Sequence, residues 1–178
     1  YLEKYAVPNE KMQLAYQQIA RYLPESQLDK FIQQSKTKQT NDIILAGQAF
    51  KGIGQGLAQR GGNNKDQTMG SWATEIAEGL FKKYPVDSNS EAGLPHQSFA
   101  IQLAGDFKIK SAEVILNSFL NSKANPDIKT SALRSLLNLT SGEAALSTAG
   151  RLLMSDSSTL DLKKRIVTVL GEMPSTAG

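Results

Sequence analysis

The stretch Gly47–Asn64 (GQAFKGIGQGLAQRGGNN) holds six glycines in 18 residues and follows the apolar run Ile43-Ile44-Leu45-Ala46. Glycines after a strand are what a phosphate-cradling turn requires, because the backbone must approach the pyrophosphate at a helix N-terminus. Here Gly52, Gly54 and Gly56 are followed by Leu57-Ala58-Gln59, so the third glycine of G-x-G-x-x-G is missing. No Gly-Lys-Ser/Thr ending is present, and Gly61-Gly62-Asn63-Asn64 stops the element before a following helix has room. Read as one helix, the segment places Ile43, Ala46, Phe50, Ile53 and Leu57 on one face. Gly52 and Gly56, one turn apart, then allow another backbone to come close, and Gly61-Gly62 supplies a C-terminal stop. An interior glycine costs a helix about 1 kcal/mol relative to alanine, so a packing reason is expected.

The remaining chemistry-bearing residues are sparse. Cysteine is absent, which removes disulfides, thiol nucleophiles, Cys-ligated zinc and covalently attached haem. The single histidine, His96, follows Pro95 at a helix start, where an exposed or capping role is the plain reading. Trp72 reads as a core anchor rather than a stacking platform. Lys163-Lys164-Arg165 fans over a helix's polar side as a solvated face. Glu75 and Glu78 share a helix side as exposed acids, and the sequon Asn138-Leu139-Thr140 sits near a packed helix end. No catalytic, cofactor-binding or metal-ligating residue is assigned, and no cofactor is expected in this segment.

Composition sets the class. The 178 residues are 40% hydrophobic and 21% charged, as in a folded protein. No apolar run approaches the roughly 18 residues that span a bilayer. The N-terminus, Tyr1-Leu2-Glu3-Lys4-Tyr5, lacks the pattern of a signal peptide, and a start on Tyr1 reads as a piece of a longer or processed parent. The net charge of +3 is spread along the chain, without the clustered basic footprint of a nucleic-acid binder.

The elements that position these residues read as helices throughout. Residues 9–23 set Met12, Tyr16, Ile19, Ala20 and Leu23 at helical spacing. Pro24-Glu25-Ser26 restarts a second helix, with Leu28, Phe31 and Ile32 as its stripe. A third covers about 42–59, and Trp72, Ile76, Leu80 and Phe81 mark a fourth that stops at Pro85. Residues 86–94 form a loop. Further helices are predicted at 95–105, 111–122, 126–139, 142–154 and 160–172, with caps at Ser111, Asn125 and Ser141. Pro174 ends the last. Val167–Leu170 has strand-like composition, but Leu162, Ile166, Val167 and Leu170 fit a helix better.

An internal repeat organises the second half. DIKTSALRSLLNL (Asp127–Leu139) aligns with DLKKRIVTVLGEM (Asp161–Met173) at a shift of 34, matching Ala132 with Ile166, Leu133 with Val167 and Leu136 with Leu170. A looser copy lies in FAIQLAGDF, and Phe119-Leu120 precede Leu152-Leu153 by one period. A helix pair of 33–34 residues that cannot bury its apolar face alone must stack on its neighbours. The chain therefore reads as all-α, a HEAT-like α-solenoid of antiparallel helix pairs in a right-handed superhelix. Its extent is one domain over 1–178, with irregular pairs at 1–85 and regular repeats at 95–178.

The order of GQGLAQRGG (Gly54–Gly62), GSW (Gly70–Trp72), LAGDF (Leu103–Phe107) and the two repeats resembles the helical-repeat region of large exported dehydrogenase-like proteins. These join a β-propeller, a HEAT-like middle and a c-type cytochrome module, and occur in planctomycetes and related bacteria. The resemblance implies a connecting scaffold between redox modules, periplasmic or exported. No catalytic residue is inherited, because the haem Cys-x-x-Cys-His and the propeller repeats are absent. The expectation is a non-enzymatic scaffold that positions neighbouring domains or binds a protein partner, with no nucleic acid and no membrane insertion. The alternatives are a nucleic-acid-binding repeat and an enzyme whose site, built around His96, lies between helices.

Overall fold

A computed structural model describes residues 8–62, 67–88, 90–139 and 143–172. Among them lie nine α-helices, one 3-10 turn and no strand. The helices are α1 Asn9–Tyr22, α2 Glu25–Lys38, α3 Ile43–Gln59, α4 Gln67–Lys83, α5 Leu94–Asp106, α6 Glu113–Asn121, α7 Pro126–Leu139, α8 Glu143–Met154 and α9 Leu160–Gly171; the 3-10 turn is Lys110–Ala112. The all-helical reading holds, and Val167–Leu170 is helical as its spacing required. Contacts divide the chain into two units, Tyr1–Gly79 and Leu80–Gly178.

Local chemistry explains the helix ends. Asp42 caps α3, its carboxylate accepting from the Ile44 and Leu45 amides at 2.9 and 3.2 Å. Asn125 caps α7 through the Ile128 amide at 2.9 Å, as expected, and Thr159 caps α9 through the Leu162 amide at 3.2 Å. In each case a short side chain satisfies an amide that has no partner inside the helix. Ser111 is a correction. It falls inside the 3-10 turn, and the N-cap position of α6 is Ala112, which makes no side-chain cap. A turn of tighter winding thus precedes the helix. The Ser141 cap, the stop at Pro174, Thr140 of the sequon, and Asn63-Asn64 lie outside the described residues.

In the first unit α3 lies against α1, and α2 lies against α4. The core gathers Tyr16 and Ala20 from α1, Ile32 from α2, Phe50 and Ile53 from α3, and Trp72 and Ile76 from α4, each no more than 4% exposed. Trp72 meets Phe50 edge-on at 5.5 Å, the arrangement that sets a ring's positive edge on its neighbour's face. The Tyr16 hydroxyl accepts from Gln39 at 3.3 Å, so the buried phenol keeps a partner. Gln33 donates to Thr68 and Lys36 to Ser71, both 35 positions on. Constant spacing along successive turns means that α2 and α4 run in the same direction.

In the second unit α7 sits between α5 and α9. The Ser135 hydroxyl donates to the buried Ile101 carbonyl of α5 at 2.7 Å. On the other side, Arg165 meets Asp127 at 2.6 Å and Arg134 meets Glu172 at 2.8 Å, both steps being 38 positions. Helices α7 and α9 therefore also run parallel. Phe81 and Phe119 pack with ring centroids 6.1 Å apart, both buried.

Candidate functional site

The glycine stretch is built as a helix that packs closely, not as a phosphate turn. α3 runs unbroken from Ile43 to Gln59, with Gly52 and Gly56 buried against α1. A methyl group on Gly52 would strike the Gln13 carbonyl oxygen and come within 2.9 Å of Tyr16 Cβ. One on Gly56 would strike the Gln17 carbonyl oxygen and come within 2.8 Å of Ala20 Cβ. The backbones are too near for any side chain, which is the packing reason the sequence called for.

Gly61 then ends α3 with φ +77°, a left-handed conformation that glycine adopts without a Cβ penalty. The Gly62 amide donates to Leu57 O at 2.9 Å and the Gly61 amide to Ala58 O at 3.1 Å, the paired bonds of a Schellman stop. Arg60, just before the stop, donates to Ala20 O and Leu23 O at 3.1 and 2.7 Å. Its positive charge thus meets the carbonyl end of α1, where a cation is favoured. The sequence did not single out Arg60; an arginine before a Gly-Gly stop carries no sign of which helix end it will reach.

Beside this stop is an open cleft of about 410 Å³, lined by Glu25, Leu28, Asp29, Ile32, Leu57, Arg60, Gly61 and Gly62. Leu28, Ile32 and Leu57 are buried and form its apolar floor, while Glu25 and Asp29 are exposed at its rim. These lining residues include no histidine, hydroxyl, thiol or lysine; the ionisable groups among them are the Glu25 and Asp29 carboxylates and the Arg60 guanidinium. The Arg60 guanidinium is engaged by two carbonyls.

The other candidates separate in space. His96 is half-buried at the start of α5 and stacks on the Tyr84 ring at 4.8 Å with 12° between planes. That corrects the reading of His96 as an exposed residue: an aromatic from the end of α4 lies flat against it. Lys83 stands 5.9 Å from the same Tyr84 ring. Glu75 pairs with Lys36 at 2.8 Å and so links α4 to α2. Among the described residues, no group of three or more His, Asp or Glu is arranged to hold a metal ion.

The basic triplet is divided. The hydrogen bond that Arg165 donates to Asp161, with the charge of Asp127, raises the Arg165 guanidinium above its ordinary pKa. Lys163 is half-buried and Lys164 exposed. Partial burial lowers the ammonium pKa of Lys51 and of Lys129, and neither lysine lines the cleft. Asn138 is exposed near the end of α7. None of the described helices is long and apolar enough to cross a membrane.

Comparison with family models, with curated proteins and with solved structures finds no match.

Proposed function

We propose that this chain is a non-enzymatic helical-repeat scaffold of the HEAT-like kind, whose surface holds a protein partner or neighbouring domains. The observation that carries the reading is the recurring parallel pairing of alternate helices. α2 with α4 keeps a step of 35, and α7 with α9 keeps a step of 38. Such steps arise when helix pairs stack by translation, each pair covering the apolar face of the one before. The close backbone contacts at Gly52, Gly56 and Gly105 serve the same stacking, since they set the spacing of alternate helices. A place as the middle segment of a dehydrogenase-like, cytochrome-fused protein remains part of the proposal, supported by the order of the motifs.

Small-angle scattering of the purified chain tests the architecture. A compact globule of this length has a radius of gyration of roughly 16 Å. The scaffold reading expects a clearly larger value with an elongated distance distribution. A value near the compact one would overturn it.

A further inference from the structure

We propose that the outer face of α9 docks an amphipathic helix of a protein partner, laid parallel to α9 as α9 lies on α7, with a carboxylate level with Lys164. This deepens the scaffold reading and rests on it. The repeat register identifies the face. Shifting α7 by 34 residues superposes Pro126, Thr130, Leu133 and Leu137 on Leu160, Lys164, Val167 and Gly171. Leu133 is 0% exposed and Thr130 8%, whereas Val167 is 59% exposed and Leu160 70%. Pro126 and Leu137 are half-buried, while Lys164 and Gly171 are exposed.

On their inner sides the two helices agree. Ile128, Ala132 and Ser135 are buried, and so are their counterparts Leu162, Ile166 and Val169. The positions that differ recur at spacings of four, three and four, so they form one stripe on α9. On α7 the matching stripe lies opposite Ser135, which bonds to α5, and about a quarter turn from Asp127 and Arg134, which reach α9. The bare side of α9 therefore continues the interface already formed between α7 and α9, one step further along.

Charge specifies the occupant. Lys164 stands where α7 has Thr130, and neither Lys163 nor Lys164 has an acidic partner among the described residues. The acids at the two ends of α9, Asp161 and Glu172, are already held by Arg165 and Arg134. An incoming helix that repeats the step of 38 brings its counterpart of Thr168 level with Lys164. The complement of this face is thus an apolar stripe with a carboxylate at that level.

The test uses the full chain and two fluorescent synthetic peptides with the sequence of residues 143–172, one unchanged and one carrying Thr168→Glu. Titration followed by anisotropy is expected to show saturable binding, tighter for the Thr168→Glu peptide. Val167→Asp in the chain, at an exposed position that leaves helicity by circular dichroism unchanged, should weaken binding about tenfold or more. Lys164→Glu in the chain should reverse the preference between the two peptides, which a merely sticky surface would not do. Absence of saturable binding, insensitivity to Val167→Asp, or an unchanged preference with Lys164→Glu overturns the proposal. An elongated scattering profile without peptide binding removes this proposal alone, whereas a compact profile removes the scaffold reading beneath it.

Discussion

Gly56 of α3 lies against the Gln17 carbonyl oxygen of α1, with no room for even a methyl group between the two helices. Gly52 stands in the same relation to Gln13 one turn earlier, so the contact is a seam along both helices. The glycines are there for what they let α1 do.

Gly52→Ala and Gly56→Ala each force this seam apart. The gain in helix propensity is about 1 kcal/mol, and overpacking against backbone costs more, so a net loss of roughly 1–3 kcal/mol is expected. Gly150 in α8 has open space where a Cβ would stand. Gly150→Ala should therefore stabilise by about 0.5–1 kcal/mol. Urea unfolding of the three variants checks the opposite signs; equal effects would show that glycine content alone, not the seam, governs stability.

Lys108 ends α5 with φ 51°, while the Ile109 amide donates to Ala104 O at 2.9 Å. This is the position where Gly61 stands after α3, occupied here by a residue that has a Cβ. Lys108→Gly should raise stability by about 1 kcal/mol, and Lys108→Ala should give no such gain. Thermal melts of the pair distinguish relief of backbone strain from loss of the lysine charge.

Asp42→Ala leaves two first-turn amides of α3 without their acceptor. The expected loss is about 1 kcal/mol, with Asp42→Asn retaining most of the stability because its carbonyl oxygen still accepts. Chemical denaturation of both variants tests the cap. A full loss in Asp42→Asn would point to charge rather than hydrogen bonding.

Gly105 and Ser135 form the corresponding close contact in the second unit, where a Cβ on Gly105 would come 2.8 Å from Ser135 Cα. Gly105→Ala is expected to destabilise by roughly 1–3 kcal/mol. Ser135→Ala, which removes only the hydrogen bond to Ile101 O, should cost about 0.5–1.5 kcal/mol. Combining the two substitutions in a double-mutant cycle should show a non-additive effect, since both act on one contact.

Much of the helical architecture was legible because it is local. The 3–4 spacing of Tyr16, Ala20, Ile53 and Leu57, the asparagine before Pro126 and the Gly-Gly after Arg60 each act within a few residues of chain. Ser111 misled because a short polar residue before an acid looks the same whether the backbone there winds as a 3-10 turn or as an α-helix. The partial burial of His96 was not legible for a related reason. Tyr84 is twelve positions away, and only the turn between α4 and α5 sets the two rings face to face.

By itself the sequence determined that the described chain is helical, where most helices start and stop, and that Gly52 and Gly56 need a close neighbour. Periodicity, caps and glycine conformations are properties of one segment in water. Tertiary structure decided the rest: that the neighbour is α1, that Arg60 ends on the carbonyls of another helix, and that Val167 is bare where Leu133 is covered. Those outcomes depend on which surface meets which, and burial is a property of a pair of surfaces, not of either sequence alone.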